Sequence, residues 1–148
     1  MTDFKKENDV GYITHGMEIK AGMLAVNLFF FLCVKHFIAD FAMQTSYMYL
    51  NKGNFRHPGG YLHAFIHAYL SLFILWALQI DMRVAWCLAL LEFVAHYVID
   101  WGKVNINKAT GWGPTNSEEY WVLLGFDQFL HSLTYIGMVW YSLRSMYG

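Results

Sequence analysis

The chain has 148 residues, 57% of them hydrophobic and 19% aromatic, while 14% are charged and the formal net charge is -1. So apolar a composition excludes intrinsic disorder, and a near-neutral chain with no basic block excludes a nucleic-acid binder. Cys33 and Cys87 both lie inside apolar stretches, which excludes a disulfide scaffold and a CxxC metal knuckle.

Residues 1–20 (MTDFKKENDVGYITHGMEIK) read as a polar N-terminal tail ahead of a membrane domain spanning 21–148. They lack the order of charged, apolar and small residues that a cleavable signal peptide requires. A first apolar run covers about Gly22 to Tyr47 and contains AVNLFFFLCV. NKGNFRHPGG follows as a loop, marked by Gly53, Pro58, Gly59 and Gly60. A second run covers Tyr61 to Ile80, and Asp81-Met82 is a tight connection to a third, Val84 to Trp101. Residues 103–119 read as the longest loop, broken by Gly111, Gly113 and Pro114, before a fourth run from Tyr120 to Leu143. Each run has the length of about 20 residues that crosses a bilayer. Short connections then predict an all-α, four-transmembrane-helix, up-down-up-down bundle. In that topology Trp76, Trp86 and Trp140 fall toward one membrane face and Trp101, Trp112 and Trp121 toward the other, as interfacial belts do.

The chemistry lies in what interrupts the apolar runs. The first run carries His36 and Asp40, the second His63 and His67, the third His96 and Asp100, the fourth Asp127 and His131. Every pair is spaced i,i+4, which sets both side chains on one helix face a turn apart. The first and third pairs lie near the C-terminal ends of their runs, the second and fourth near the N-terminal ends. Antiparallel helices therefore bring all eight to one layer, close to the face that bears the longer loops. HFIAD precedes HAFIH as HYVID precedes DQFLH, the order expected of two helical-hairpin repeats.

An Asp near the middle of a membrane helix costs about 2.5–3.5 kcal/mol, so three unpaired ones cost up to about 10 kcal/mol. A bound cation is the natural offset. Histidine and carboxylate together suit zinc, with iron or manganese as alternatives, and eight ligands exceed what one zinc takes, so two ions are expected. Glu92 lies one turn before His96, where a deep acid needs a partner; it is a candidate general base or supporting group. Lys103 continues the Asp100 face toward the loops and is a candidate for holding an anionic head group, with snorkelling to the interface as the alternative. Gln44 and Gln128 extend the same faces. Lys35 must snorkel or pair inside the bundle, and no role is assigned to His15 or His57.

HFIADFAMQT, Lys52, HAFIH, HYVIDWGK and DQFLH, four separate pieces in order from about Val34 to His131, resemble the small phage and bacterial membrane proteins grouped as domain of unknown function 3307. The chain is more distantly similar to the YdjM-type membrane-bound metal-dependent hydrolases. The resemblance implies a metal-binding multi-pass protein of a bacterial inner membrane, with a hydrolase activity suggested by analogy.

Three function classes stand open. One is a metal-dependent hydrolase of a lipid or lipid-linked phosphate, with two ions shared by Asp40, Asp100, Asp127 and the histidines. The second is a di-iron hydroxylase or desaturase, although such enzymes usually carry adjacent His-His pairs and this chain has none. The third is a metal-stapled phage protein that binds a host membrane protein or a second copy of itself. A bis-histidine haem leaves three aspartates in the same layer unexplained. Lys5, Lys6, Lys20, Arg83 and Arg144 on the side of the termini stand against Lys52, Arg56, Lys103 and Lys108 on the site side; with Lys103 set aside as a candidate site residue the count is five against three, and the positive-inside rule then leans toward cytoplasmic termini and a site on the outer side.

Overall fold

The computed structural model describes residues 2–148, with side chains from residue 15 onward, and every described element is helical. Helix α1 spans Thr2–Ile38 and passes into a π-helical turn over Ala39–Met43. A short α2 covers Ser46–Asn51, α3 Pro58–Ala77, α4 Met82–Thr110 and α5 Glu118–Tyr147. Four segments are long and apolar enough to cross a membrane: His15–Met43, Pro58–Ala77, Met82–Thr110 and Glu118–Tyr147. Helix α3 packs on α4, α4 on α5, α5 on α1 and α1 on α3, which closes the four into a ring, and α2 lies against α3.

The outside of the ring is as apolar as the inside. Val26, Phe41 and Val122 are 69%, 73% and 73% exposed, and Phe30, Phe65, Trp86, Leu90 and Phe129 are exposed with them. Monomers in water rarely expose patches beyond a few hundred Å²; hydrocarbon is the solvent that suits this surface. Trp76, Trp86, Trp121 and Trp140 all face outward. Inside, the bundle divides by polarity. Leu28, Leu32, Leu75, Ala85, Leu88, Tyr135 and Met138 form an apolar core toward the end that holds the α3–α4 turn, and the histidine layer fills the other end.

The helix boundaries have local causes. His57 caps α3, its Nδ1 accepting from Gly59 N–H at 3.1 Å, with Pro58 in the first turn where no N–H is needed. Asp81 caps α4 by accepting from the N–H groups of Arg83 at 3.0 Å and Val84 at 3.4 Å. The Arg83 N–H also holds the Asp81 carboxyl below the usual carboxylate range. Gln79, at φ 61°, supplies the left-handed residue that reverses the chain just before it.

Two expected boundaries are corrected. The stretch 103–119 is not one loop: α4 continues through Thr110 and stops only at Gly111, whose φ of 73° makes it a left-handed cap. Asn105 helps to carry α4 past Trp101, its amide donating to Trp101 O at 2.7 Å and to Gly53 O at 2.9 Å. The first apolar run ends at the π-turn, and its last residues fold separately as α2. The helix also reaches back through most of the polar 1–20 stretch without a break.

Candidate metal centre

All eight paired residues meet in one layer. His36 comes from the end of α1 and Asp40 from the π-turn that follows; π-turns inside helices recur at functional sites. His63 and His67 come from the first half of α3, His96 and Asp100 from the middle of α4, and Asp127 and His131 from the first half of α5. Seven of the eight are buried, and the Asp40 side chain keeps 13% of its surface.

The tightest part centres on Asp40 Oδ1. It lies 3.2 Å from His63 Nε2 and 3.2 Å from His67 Nε2. His63 Nε2 is 3.1 Å from His96 Nε2 and 3.1 Å from Asp100 Oδ2. The His67 and His96 rings stack with centroids 3.7 Å apart. Asp100 Oδ1 and Asp127 Oδ1 stand 3.8 and 3.7 Å from His131 Nε2, so the α5 side is looser. Three groups of these side chains could each hold a cation: Asp40 with His63, His67 and His96; His36 with His96 and His131; and Asp100 with Asp127 and His131.

The donor set fits a transition metal. Around a tetrahedral zinc with bonds of about 2.0–2.1 Å, neighbouring ligand atoms lie about 3.3 Å apart; the Asp40–His63 separation of 3.2 Å and the His63–His96 separation of 3.1 Å fall beside that value. The layer also holds polar atoms that its own hydrogen bonds leave over. Asp40 Oδ1, His67 Nε2, Asp127 Oδ1 and His131 Nε2 are buried without a hydrogen bond, although each has a potential partner within 3.8 Å in the wrong direction. Buried polar atoms are normally satisfied, and these four face each other in two pairs, Asp40 with His67 and Asp127 with His131, as ligand atoms around a cation do.

Around the layer lies a set of basic and hydroxyl groups. Lys52 Nζ donates to Asp100 Oδ2 at 3.0 Å, and Lys103 Nζ to Asp127 Oδ2 at 2.9 Å. Gln128 Oε1 lies 3.2 Å from His36 Nε2, and its amide donates to Asp127 Oδ2 at 3.0 Å. Tyr135 OH pairs with His36 Nδ1 at 2.8 Å and fixes that ring, as the outer partners of metal-ligating histidines do. Glu92 sits a turn deeper, buried and paired with Lys35, whose ammonium also donates to His67 O at 3.2 Å. Of the two expectations for Lys35, the pairing inside the bundle is the one that the structure shows.

Sequence spacing missed two members of this shell. Tyr135 was detectable, because it extends the Asp127 and His131 face by one more turn. Lys52 stood out only through the family resemblance: it follows α2, off every helical face, and reaches Asp100 because the chain folds back over α3. Gly60 permits that approach, since a Cβ there would come within 3.0 Å of Tyr97 and 3.3 Å of the Lys52 backbone. His57, left without a role, serves as a helix cap.

The family described as protein of unknown function (DUF3307) matches residues 28–147, so the chain belongs to that family. Neither a curated protein nor a solved structure matches the chain.

Proposed function

We propose that this member of the DUF3307 family is a metal-dependent membrane hydrolase whose substrate is a lipid or a lipid-linked phosphate. The observation that carries the proposal is the set of unsatisfied histidine and aspartate atoms contributed by the π-turn, α3 and α5, in a layer that His96 and Asp100 of α4 complete. In this reading two transition-metal ions, zinc before iron or manganese, occupy the layer in a bacterial inner membrane, with the termini cytoplasmic and the site on the outer side.

Metal bound here would supply Lewis-acid polarisation of a phosphoryl or acyl oxygen and an activated water. The protein's own groups do the rest. Tyr135 and Gln128 hold the His36 ring. Lys35, anchored by Glu92, braces the α3 backbone at His67, which makes Glu92 a positioning residue. Lys103 stands at the loop-side edge, where a head group enters, and neutralises Asp127 meanwhile. A groove of about 680 Å³ between α1 and α5, lined by residues such as Phe29, Cys33, Ile136 and Val139, gives a hydrocarbon chain a place beside the site. A smaller cavity of about 160 Å³ that shares Cys33 with it reaches His36, Gln128 and His131.

The test is head-group or phosphate release from labelled membrane lipids by purified protein, with and without chelator, alongside elemental analysis. Chelator-sensitive release supports the hydrolase. Bound metal with no release from any lipid class favours a metal staple, and coloured, redox-active iron favours the oxygenase class.

A further inference from the structure

A cavity of about 460 Å³ opens from the layer toward the loop side, between the π-turn, α2, the last turns of α4 and the start of α5. Asp40, Gln44 and Gln128 line its inner part, and Lys52, Lys103 and Lys108 line it as well. Lys108 is exposed, and its ammonium lies over Gly53, where a Cβ would come within 2.9 Å of it. Gln44 Oε1 and Asn107 Oδ1 are buried in this wall without a hydrogen bond; the Gln44 NH₂ donates to Asp40 O at 2.8 Å, whereas the Asn107 amide can turn to present its NH₂.

The lysines are placed unusually with respect to the carboxylates. Lys52 holds Asp100 Oδ2 at 3.0 Å; Lys103 holds Asp127 Oδ2 at 2.9 Å and stands 3.8 Å from Asp100 Oδ1. The same two aspartates, with His131, form one of the cation-competent groups. Two ammonium groups and two carboxylates sum to zero charge. A divalent cation on Asp100, Asp127 and His131 competes with both lysines for their partners and leaves the four side chains and the ion at a net +2. Lys52 and Lys103 both line the cavity, together with Lys108, so the surplus charge arises beside it.

We propose that Lys52, Lys103 and Lys108 form a binding site for a phosphate dianion that is completed when a cation occupies the Asp100, Asp127 and His131 group. Cation and phosphate then bind with positive coupling. The proposal rests on the metal-binding part of the function proposed above and specifies the substrate's reacting end as a phosphate rather than an acyl ester. A dianion matches the +2 surplus, and its several oxygens accept from ammonium groups arriving from different elements. Coupling between two ligands is reciprocal: whatever factor phosphate gains from the cation, the cation gains from phosphate.

Mn²⁺ binding by the purified full chain in a maltoside detergent, followed by the loss of the free Mn²⁺ electron-paramagnetic signal, tests this. Inorganic phosphate is the added anion in one arm, phosphatidic acid in mixed micelles in another, and phosphatidylcholine in the control arm. We expect Mn²⁺ to bind about tenfold more tightly with a phosphate source, the usual scale of such coupling, and not with phosphatidylcholine. Tightening by inorganic phosphate places recognition in the phosphate group alone; tightening only by phosphatidic acid places the source in the lipid, and either supports the proposal. Lys108→Gln and Lys52→Gln should retain the Mn²⁺ stoichiometry and lose most of the tightening. Mn²⁺ bound normally but indifferent to both phosphate sources overturns the proposal and leaves the metal centre standing. Tightening that survives in both lysine variants overturns the assignment of these residues. No Mn²⁺ binding under any condition overturns the metal centre itself and the proposal with it.

Discussion

Asp40 Oδ1 lies 3.2 Å from His67 Nε2, and neither atom makes a hydrogen bond. Leaving a buried polar atom unsatisfied costs about 1–3 kcal/mol, so the contact makes sense as half of a coordination shell and poor sense as a packing contact. Replacing His67 or Asp100 with Ala should therefore lower metal content and thermal stability together. Elemental analysis and a melting curve in detergent measure both. Metal content unchanged in both variants would mean that the layer is held by hydrogen bonds alone.

The buried Lys35–Glu92 pair makes a second, metal-independent prediction. Removing one partner of a buried ion pair strands the other and costs about 3–5 kcal/mol, whereas replacing both with apolar groups is often neutral or stabilising. Lys35→Met and Glu92→Gln should each lower the melting temperature markedly, and the double variant Lys35→Met/Glu92→Leu should recover most of the loss. A double variant as unstable as the worse single one would show that Lys35 stabilises mainly through His67 O, at 3.2 Å, rather than through Glu92.

The four spans and the polar layer were legible because both rest on periodicity. An i,i+4 pair such as His96 and Asp100 declares its common face whatever surrounds it, and matching depth follows once the helices alternate in direction. What escaped lay between the helices. The π-turn at Ala39–Met43 leaves no signature in HFIAD, since widening one helical turn changes hydrogen-bond register and not composition. Residues 103–110 contain no Gly or Pro to stop α4, yet their polarity resembles a loop; in the structure Asn105 spends its amide on α4 and on Gly53 O, which a linear pattern cannot express. Lys52 belongs to the same class, because its reach to Asp100 depends on how the α2 segment folds back.

Glycine substitutions separate close approach from mere helix propensity. A Cβ on Gly53 would collide with the Val104 side chain and come within 2.9 Å of Lys108 Nζ, whereas Gly125 has open space around it. Gly53→Leu should cost about 1–3 kcal/mol through overpacking and loosen the adjoining Lys52–Asp100 contact. Gly125→Ala, in α5, should gain about 0.5–1 kcal/mol from helix propensity. Melting temperatures moving in opposite directions would bear this out; equal losses would mean that α5 is crowded at Gly125.

Topology follows from four spans joined by three connections. With Cys33 and Cys87 replaced by Ala, single cysteines introduced at Thr2 and at Gly148 should react with a membrane-impermeant maleimide from the same side of intact vesicles. A third cysteine at Asn116, in the loop after α4, should react from the opposite side. Labelling of the two termini from opposite sides would remove one of the four helices from the membrane.

Lys103 and Asp127 share a 2.9 Å contact but should fail differently. Asp127 belongs to a cation-competent group, so Asp127→Ala should lose bound metal and any lipid turnover together. Lys103 has no lone pair to offer while protonated, and it lines the cavity that leads to the loop side. Lys103→Ala should therefore keep the metal. Removal of its charge frees Asp127 of a competing cation and leaves it the Gln128 amide, at 3.0 Å, as its remaining donor, which strengthens rather than weakens the bond to a metal, while an anionic head group loses an ammonium donor in the entry cavity. A charge-assisted hydrogen bond of that kind is worth about 1.5–3 kcal/mol, which corresponds to roughly 10- to 150-fold in kcat/KM. Most of the loss should appear in KM if the ammonium holds ground state and transition state alike. Metal lost in both variants would instead assign Lys103 to the integrity of the layer, as a fixed counter-charge to Asp127 that the fold needs before any cation binds.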